Sequence, residues 1–359
     1  MYGKNDTWDR SDSYWTIGGM NLPEKLTPRE RVLDALKGKK HDRPPVAVFT
    51  QSATMGQMDA LGVSWPDAHY NADLMVKLGA GQAKVFGFEA VRAPFCLTVE
   101  AETLGMTVDK GRKDRTPMIK GHSFQMEDEP NLMDVKTFLK SGRAAICQEA
   151  IRKMKATYGA EYPIIAGNTG PFTLAGHMVG TENLVLYIMV DPDLVHKWVK
   201  AVNVICTGYS QALADAGGDV VQMSEPSAST DLLSPEMFDE YAGAYVKGSL
   251  APVKGATGVL HICGNTTPIL NNMINTGVKA LSIEEKVVPE EAVKIVNHRA
   301  ALIGNVGVVN PLLQGTPADV MAHGKRCAAA GFDVVSPGCG LSALISNDNL
   351  AALVKAVKG

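Results

Sequence analysis

The sequence has few cysteines and no long apolar run. Six cysteines among 359 residues are too few for a disulfide-stapled secreted domain. No stretch approaches the roughly 18 consecutive apolar residues of a transmembrane helix, so we expect no membrane span. Residues 1–20 lack the apolar segment of a secretory signal, which favours a cytoplasmic protein with reduced thiols. In such a compartment, cysteines that lie close together more often bind metal or carry out chemistry than form disulfides.

The sequence also lacks a large excess of charge of either sign. The chain has 35 basic and 38 acidic side chains, a net charge of −3, and no long basic run, so we expect no nucleic-acid partner. Its length fits either two domains or a single α/β barrel. Because no low-complexity linker divides the chain, we predict one domain over 27–359, preceded by an N-terminal arm over 1–26.

Patterns of buried strands and of helices alternate along the chain. A first helix is predicted from the N-cap Thr27, with Pro28 and Glu30 in its first turn, to Gly38. Eight short apolar runs typical of buried parallel strands follow it: 46–49, 89–95, 163–167, 219–224, 258–263, 280–284, 300–306 and 332–336. The alternation predicts an α/β fold, a single (β/α)8 TIM barrel. The polar stretch 98–129 is predicted as an insert after strand 2.

In such a barrel, functional residues lie at the carboxyl ends of the strands. The predicted ends are rich in polar and metal-ligating side chains: Thr50, Gln51, Cys96, Asn168, Glu225, Cys263, Glu284, Asn305 and Cys339.

The most informative of these ends is the one that contains His261 and Cys263. Two positions apart on a strand, these side chains project to the same face. Far downstream, Cys339 ends the last predicted strand between Gly338 and Gly340. One imidazole and two thiolates form a soft ligand set that suits Zn²⁺ and leaves a fourth position open. We therefore predict a catalytic zinc site on His261, Cys263 and Cys339.

Other residues at the strand ends have more than one interpretation. Glu284 is a candidate fourth, displaceable ligand, and a salt bridge or helix cap is the alternative. Glu225 and Asp231 are candidate hydrogen-bond acceptors behind the ligands. Cys96 is a weaker metal candidate. The remaining cysteines lie in helical patterns that favour packing roles: Cys147, Cys206 and Cys327.

The ligand set indicates the kind of chemistry. A zinc ion with two thiolates and a neutral imidazole has a net charge near zero and still stabilises one more thiolate at neutral pH. Zinc hydrolases more often use histidine and carboxylate ligands, which leave the metal more electrophilic towards water. The predicted site therefore favours alkyl transfer to a thiol substrate.

His-x-Cys followed by Gly-Cys-Gly on a predicted barrel resembles the methylcobamide:coenzyme M methyltransferases of the uroporphyrinogen decarboxylase superfamily. The resemblance extends from about Thr27 to Lys358 and includes residues 94–102, 170–175, 233–238 and 303–306. It implies that His261, Cys263 and Cys339 are zinc ligands. The sequence Ser282-Ile283-Glu284 is also similar to the zinc barrel of cobalamin-independent methionine synthase, which implies that Glu284 is the ligand that yields to substrate.

The resemblance further implies a zinc-dependent transfer of a methyl group from a methylcorrinoid to the thiol of coenzyme M, giving methyl-coenzyme M. The corrinoid is expected on a separate corrinoid protein, because nothing here resembles the Asp-x-His-x-x-Gly motif of a cobalamin-binding domain. Glu284 and Glu225 are the candidate catalytic carboxylates. Gln51, Asn168 and Asn265 are candidate contacts for the sulfonate, for which the sequence places no arginine.

Three alternatives stay open. One is a corrinoid methyltransferase with another acceptor, tetrahydrofolate or a different thiol. Another is a non-catalytic zinc-barrel subunit that only docks a corrinoid protein. The third is a metal-free lyase of the uroporphyrinogen decarboxylase type. The lyase is disfavoured because its pattern has arginines where this chain reads Phe49-Thr50-Gln51-Ser52-Ala53-Thr54, and Gly-His-Gly where this chain reads Gly338-Cys339-Gly340.

Overall fold

The computed structural model describes residues 25–39, 41–51 and 53–359. Its strands are β1 (Val91–Ala93), β2 (Val108–Asp109), β3 (Met118–Ile119), β4 (Ile164–Thr169), β5 (Val220–Ser224), β6 (Thr257–Ile262), β7 (Ala280–Ile283), β8 (Ala301–Val306) and β9 (Val334–Pro337). Seven of them form one parallel sheet in the order β1-β4-β5-β6-β7-β8-β9, and β2 pairs with β3. The predicted α/β class with a parallel sheet is confirmed.

Helices connect the strands. Within the described residues they are α1 (Pro28–Leu36), α2 (Met55–Leu61), α3 (Ala72–Gly79), α4 (Val99–Thr103), α5 (Val135–Phe138), α6 (Gly142–Tyr158), α7 (Pro171–Val179), α8 (Thr181–Val190), α9 (Pro192–Asp215), α10 (Pro235–Met237), α11 (Ala244–Ser249), α12 (Leu270–Asn275), α13 (Pro289–Val296), α14 (Pro317–Ala330) and α15 (Asn347–Lys358). Short 3₁₀ turns occupy Asp67–His69, Pro226–Ala228 and Thr267–Ile269, and π turns occupy Gln82–Phe86, Phe238–Gly243 and Val308–Leu313. None of these helices is long and apolar enough to cross a bilayer.

Helix α1 begins where the sequence predicts it. Thr27 and Glu30 form a capping box, in which each side chain accepts a hydrogen bond from the other's backbone N–H. The helix then buries Val32, Ala35 and Leu36 in the same apolar cluster as inward-facing residues of the sheet. Helix α1 therefore covers the amino-terminal end of the sheet, opposite the predicted site.

Seven of the eight predicted apolar runs contain a strand, and the first run does not. Val46 makes only an isolated parallel bridge with Val335, and the Ala47 N–H donates to the Val335 carbonyl at 3.1 Å. On the other side, the Glu89 N–H donates to the Val46 carbonyl at 2.8 Å. The ladder is short because Pro45 has no N–H and the Val46 N–H donates to the Glu89 carboxylate instead of a neighbouring strand. The prediction of a complete first strand is wrong in this respect.

Two further predictions concern the insert over 98–129 and the N-terminal arm over 1–26. The stretch 98–129 contains α4 and the antiparallel pair β2–β3. The predicted arm, 1–26, lies outside the described residues except for Lys25 and Leu26. Their N–H groups donate to the carboxylate of Asp42.

A buried ionic cluster ties α1 to the start of the sheet. The Glu89 carboxylate is fully buried and accepts hydrogen bonds from the guanidinium groups of Arg31 and Arg43 and, at 2.9 Å, from the Val46 N–H. Arg31 also donates to Asp42 at 2.7 Å. Each buried charge in this cluster thus has an opposite charge beside it, which offsets its desolvation.

Replacing Glu89 with Gln is expected to lower the free energy of unfolding by about 3 kcal/mol, because it leaves buried guanidinium groups facing a neutral amide. Urea denaturation measures the change. The control is Glu290→Gln, which breaks the exposed pair with Arg326 and is expected to change stability by less than about 1 kcal/mol. Equal, small effects of both substitutions would contradict the prediction.

Candidate metal centre

Three side chains converge at the carboxyl ends of β6 and β9. His261 lies in β6, Cys263 follows that strand directly, and Cys339 follows β9. The His261 Nε2 atom lies 3.2 Å from the Cys263 Sγ atom, which lies 3.0 Å from the Cys339 Sγ atom. All three donor atoms lie within 4.8 Å of one another. The structure therefore brings together the three residues that the sequence predicts as ligands.

The donor set fits a zinc ion. Both thiols are free, and their separation exceeds the roughly 2.05 Å of a disulfide. Around a tetrahedral zinc with Zn–S bonds of about 2.3 Å, two sulfur atoms lie about 3.8 Å apart. The two side chains would need to separate by less than about 1 Å to reach that distance. In the described part of the chain, no other such group of His, Cys, Asp and Glu side chains is found.

His261 is oriented by its neighbour on β7. Its Nδ1 atom lies 3.2 Å from the Ser282 carbonyl oxygen and 3.0 Å from the Ser282 Oγ atom. When Nδ1–H donates to that carbonyl, the lone pair of Nε2 faces Cys263, as in metal-binding histidines. The sequence indicated Glu225 or Asp231 for this supporting role, and the structure has Ser282. Only the β6–β7 register, which pairs His261 with Ser282, identifies it.

The two thiols are electrostatically coupled. The hydrogen bond with Cys263 lowers the pKa of the Cys339 thiol despite its burial. The same hydrogen bond, together with burial and the neighbouring carboxylates, raises the pKa of Cys263. Without a metal, the hydrogen bond between the two sulfur atoms requires a proton on one of them. Binding of a divalent metal to both sulfurs would expel it.

Two carboxylates lie beside the cluster. The Glu284 Oε2 atom accepts a hydrogen bond from the Gly264 N–H at 2.5 Å, and Glu284 is not one of the three convergent groups. Gly264 has φ +83°, where a side chain is strained. The Oε2 atom of Glu285 is buried without a hydrogen-bond partner among the described residues, and burial raises the pKa of this carboxyl group. Glu284 as a ligand stays a prediction, and the sequence analysis assigned Glu285 no role.

Glu225 faces helix α7. Its carboxylate is fully buried and accepts hydrogen bonds from the N–H groups of Phe172, at 3.0 Å, and Thr173, at 2.5 Å. It therefore satisfies two free backbone donors at the start of the helix. A Cβ atom at residue 170 would lie 2.2 Å from this carboxylate, so glycine is required there. Burial raises the pKa of Glu225 to about 7, and its catalytic role stays a prediction.

The three candidate sulfonate contacts are not gathered in one place. Asn168 donates to the Ser210 hydroxyl on α9 at 2.8 Å, which turns its side chain towards the helix layer. The Asn265 side chain accepts a hydrogen bond from the Thr267 N–H at 3.2 Å, within its own loop. Gln51 lies beside the metal centre, since a Cβ atom at residue 340 would lie 2.9 Å from its Oε1 atom.

Cys96 belongs to a different cluster. Its thiol accepts a hydrogen bond from Arg143 at 2.8 Å and lies 3.4 Å from the Thr98 hydroxyl. Although burial favours the neutral thiol, Arg143 and His69 lower the pKa of Cys96 to about 5. The three cysteines predicted to pack in the core are buried: Cys147, Cys206 and Cys327.

Residues 27–359 match the family model "Uroporphyrinogen decarboxylase (URO-D)". The chain belongs to the uroporphyrinogen decarboxylase family. This match covers the whole region in which the sequence analysis found the resemblance.

Relatives with more than a third of their residues identical to this chain are named as methyltransferases. The chain is 37% identical over 340 residues to the methylcobamide:CoM methyltransferase MtbA of Methanosarcina acetivorans, covering 93% of this chain and 98% of the relative. It is 34% identical over 333 residues to the methylcobamide:CoM methyltransferase MtaA of Methanosarcina barkeri, covering 92% and 98%. A solved structure of a methyltransferase from Methanosarcina mazei superposes with a TM-score of 0.88 at 34% identity, covering 92% of this chain and 98% of that one. The prediction of a methyltransferase is confirmed.

The site of this family member is tested by metal analysis. The wild-type chain is expected to bind about one zinc ion, and Cys263→Ala and Cys339→Ala are each expected to lose most of it, since two protein ligands hold zinc poorly. Elemental analysis after dialysis gives the metal content. Cys327→Ala removes a buried thiol outside the cluster and serves as the control. Full zinc retention in either ligand variant would contradict the assignment.

Proposed function

We propose that the chain is a zinc-dependent methyltransferase that moves a methyl group from a methylated corrinoid protein to the thiol of coenzyme M, giving methyl-coenzyme M. The convergence of His261, Cys263 and Cys339 within 4.8 Å carries this proposal, because the soft ligand set suits thiolate activation. The names of the relatives support the choice of methyl donor and acceptor.

The residues at the site have distinct tasks in this proposal. His261, Cys263 and Cys339 would hold the zinc ion. When bound, zinc would lower the pKa of a substrate thiol so that it is a thiolate at neutral pH. Ser282 holds the His261 ring in its orientation. Glu284, held by the Gly264 N–H, is proposed to yield its place beside the cluster to the incoming sulfur.

The bond changes balance without a further reactant. The thiol loses its proton to solvent, and the sulfur uses a lone pair to form the S–C bond. The Co–C bond of the methylcorrinoid breaks at the same time, and cobalt keeps the bonding electron pair. The corrinoid is proposed to arrive on a separate protein, as the carrier of the methyl group.

The finer features of the fold belong to the same proposal. We propose that segment 46–49 completes a closed (β/α)8 barrel as its eighth strand, with 98–129 as the insert, and that 27–359 form one domain. Backbone hydrogen bonds of this segment to Val335 on one side and to Glu89 on the other support the closure.

Methylcobalamin, a protein-free methyl donor, tests the activity. The zinc-loaded chain is expected to convert methylcobalamin and coenzyme M to methyl-coenzyme M, detected by mass spectrometry. Cys263→Ala is expected to reduce the rate at least about 100-fold, because thiolate activation depends on the metal. Tetrahydrofolate, homocysteine and 2-mercaptoethanol are the comparison acceptors. Transfer only to tetrahydrofolate or homocysteine would overturn the choice of acceptor.

Proton release tests thiolate formation separately from turnover. Coenzyme M binding to the zinc form at pH 7 is expected to release about one proton, because a metal-bound thiol is deprotonated. Calorimetry in two buffers of different ionisation enthalpy measures this number. The control is the Cys339→Ala variant, for which no release is expected. Binding to the zinc form without proton release would contradict thiolate activation.

A further inference from the structure

Arg92 is a buried cation inside the sheet without a carboxylate partner among the described residues. Its side chain projects from β1, and the residue is 3% exposed. Nε donates to the Phe49 carbonyl at 2.8 Å, Nη1 to the Pro94 carbonyl, and Nη2 to the Gln222 Oε1 atom at 2.8 Å. All three acceptors are neutral. Among the described residues, no carboxylate forms an ion pair with this guanidinium, and the charged neighbour that raises its pKa is the Cys96 thiol, which is hydrogen-bonded to Arg143.

The other buried arginines are paired differently. Arg31 lies against Glu89 and Asp42, and Arg143 against Glu102. A buried charge that is hydrogen-bonded only to neutral acceptors carries a large desolvation penalty. Burial accordingly lowers the pKa of Arg92 to about 9, which still leaves it protonated at neutral pH. A positive charge held in this way is suited to an anion that enters from outside.

The guanidinium has donors left for such an anion. It has five N–H groups, and the three hydrogen bonds engage one on each nitrogen. One N–H therefore remains on each terminal nitrogen. Two parallel N–H groups match two oxygens of a carboxylate or sulfonate.

Hydrogen-bonded polar side chains lead from Arg92 to Ser224, on the strand next to His261. Gln222, which accepts from Arg92, donates through Nε2 to the Ser224 hydroxyl at 2.8 Å. Ser224 is paired with His261 in the β5–β6 register. Gln222 thus lies one inward-facing layer below Ser224, a spacing of about 6.6 Å along a strand.

The interior below Arg92 is closed. An apolar layer there has no exposed surface: Ala47, Phe49, Ile165, Val220, Val259, Ala280 and Ala301. Arg92, Ser224 and His261 each keep 3% exposure. A Cβ atom at residue 167 would lie 2.5 Å from Nη2 of Arg92, so this position accommodates the guanidinium only as glycine.

We propose that Arg92 binds the anionic end of the thiol substrate, the sulfonate, while the sulfur lies at His261, Cys263 and Cys339. The inference rests on the proposed function. In coenzyme M, two carbons separate the thiol from a permanent negative charge, a span comparable to one inward-facing layer of a strand. Arg92 is thus a positioning and specificity-determining residue that selects thiols with an anion at this distance.

The test compares charged and neutral acceptors with methylcobalamin as donor. Arg92→Gln is expected to lower the kcat/KM ratio of coenzyme M over 2-mercaptoethanol by about 10- to 100-fold, mainly through KM for coenzyme M, because it removes a charge-assisted hydrogen-bond pair. Arg92→Lys is expected to restore part of the ratio. 3-Mercaptopropionate, with a carboxylate, tests whether the site prefers a sulfonate.

Two further variants separate binding of the anion from support of the fold. Gln222→Glu keeps the guanidinium but places a carboxylate against it, and is expected to lower the same ratio. Lys286→Gln removes an exposed cation that lies near Asp231, and is expected to keep the ratio within about 2-fold. Zinc content is measured in every variant. Equal losses for both acceptors in Arg92→Gln and Gln222→Glu would overturn the proposal and leave Arg92 a structural role.

Ethanesulfonate provides a probe that has no thiol. Calorimetry is expected to show that it binds to the metal-free wild-type chain and at least about 10-fold more weakly to Arg92→Gln. Equal affinity for both would overturn the proposal. If the wild-type chain methylates no thiol but binds ethanesulfonate through Arg92, the proposed function fails and the anion site stands.

Discussion

The contact between Cys263 and Cys339 depends on the curvature of the sheet. Their strands, β6 and β9, are separated by β7 and β8, and three strand spacings in a flat sheet amount to about 14 Å. The two sulfur atoms nevertheless lie 3.0 Å apart. The twist and curl of parallel strands therefore create the candidate metal centre, and a change that flattened the sheet would separate its donor atoms.

Buried charges are paired at one end of the sheet, and at the other end a buried charge has only neutral hydrogen-bond partners. At the amino-terminal end, Glu89 is surrounded by Arg31 and Arg43, and the cluster ties α1 to the sheet. Towards the carboxyl ends, Arg92 is held only by neutral acceptors. In the first arrangement, the opposite charges offset each other's desolvation. The second leaves a positive charge available beside a site that is proposed to bind an anionic thiol.

Two buried carboxylates near the site, those of Glu225 and Glu100, accept hydrogen bonds from backbone N–H groups. Glu225 accepts from the first N–H groups of α7, and Glu100 accepts from the backbone and hydroxyl of Thr169 at 2.8 and 2.9 Å. These hydrogen bonds satisfy donors that would otherwise be buried without partners. The convergent donors are therefore one imidazole and two thiols, a set that keeps a bound metal soft and near neutral.

The sequence by itself determined the α/β class, the capped helix α1, seven of the strands and the three convergent residues of the candidate metal centre. Each of these depends on local patterns: the N-cap motif, apolar runs, and a two-residue spacing on a strand that fixes the face of His261 and Cys263. Only the tertiary structure decided which partner each side chain has. Ser282 and Arg92 contact residues that are distant in the sequence. Strand register and sheet curvature bring these residues together, and no local sequence pattern predicts such contacts.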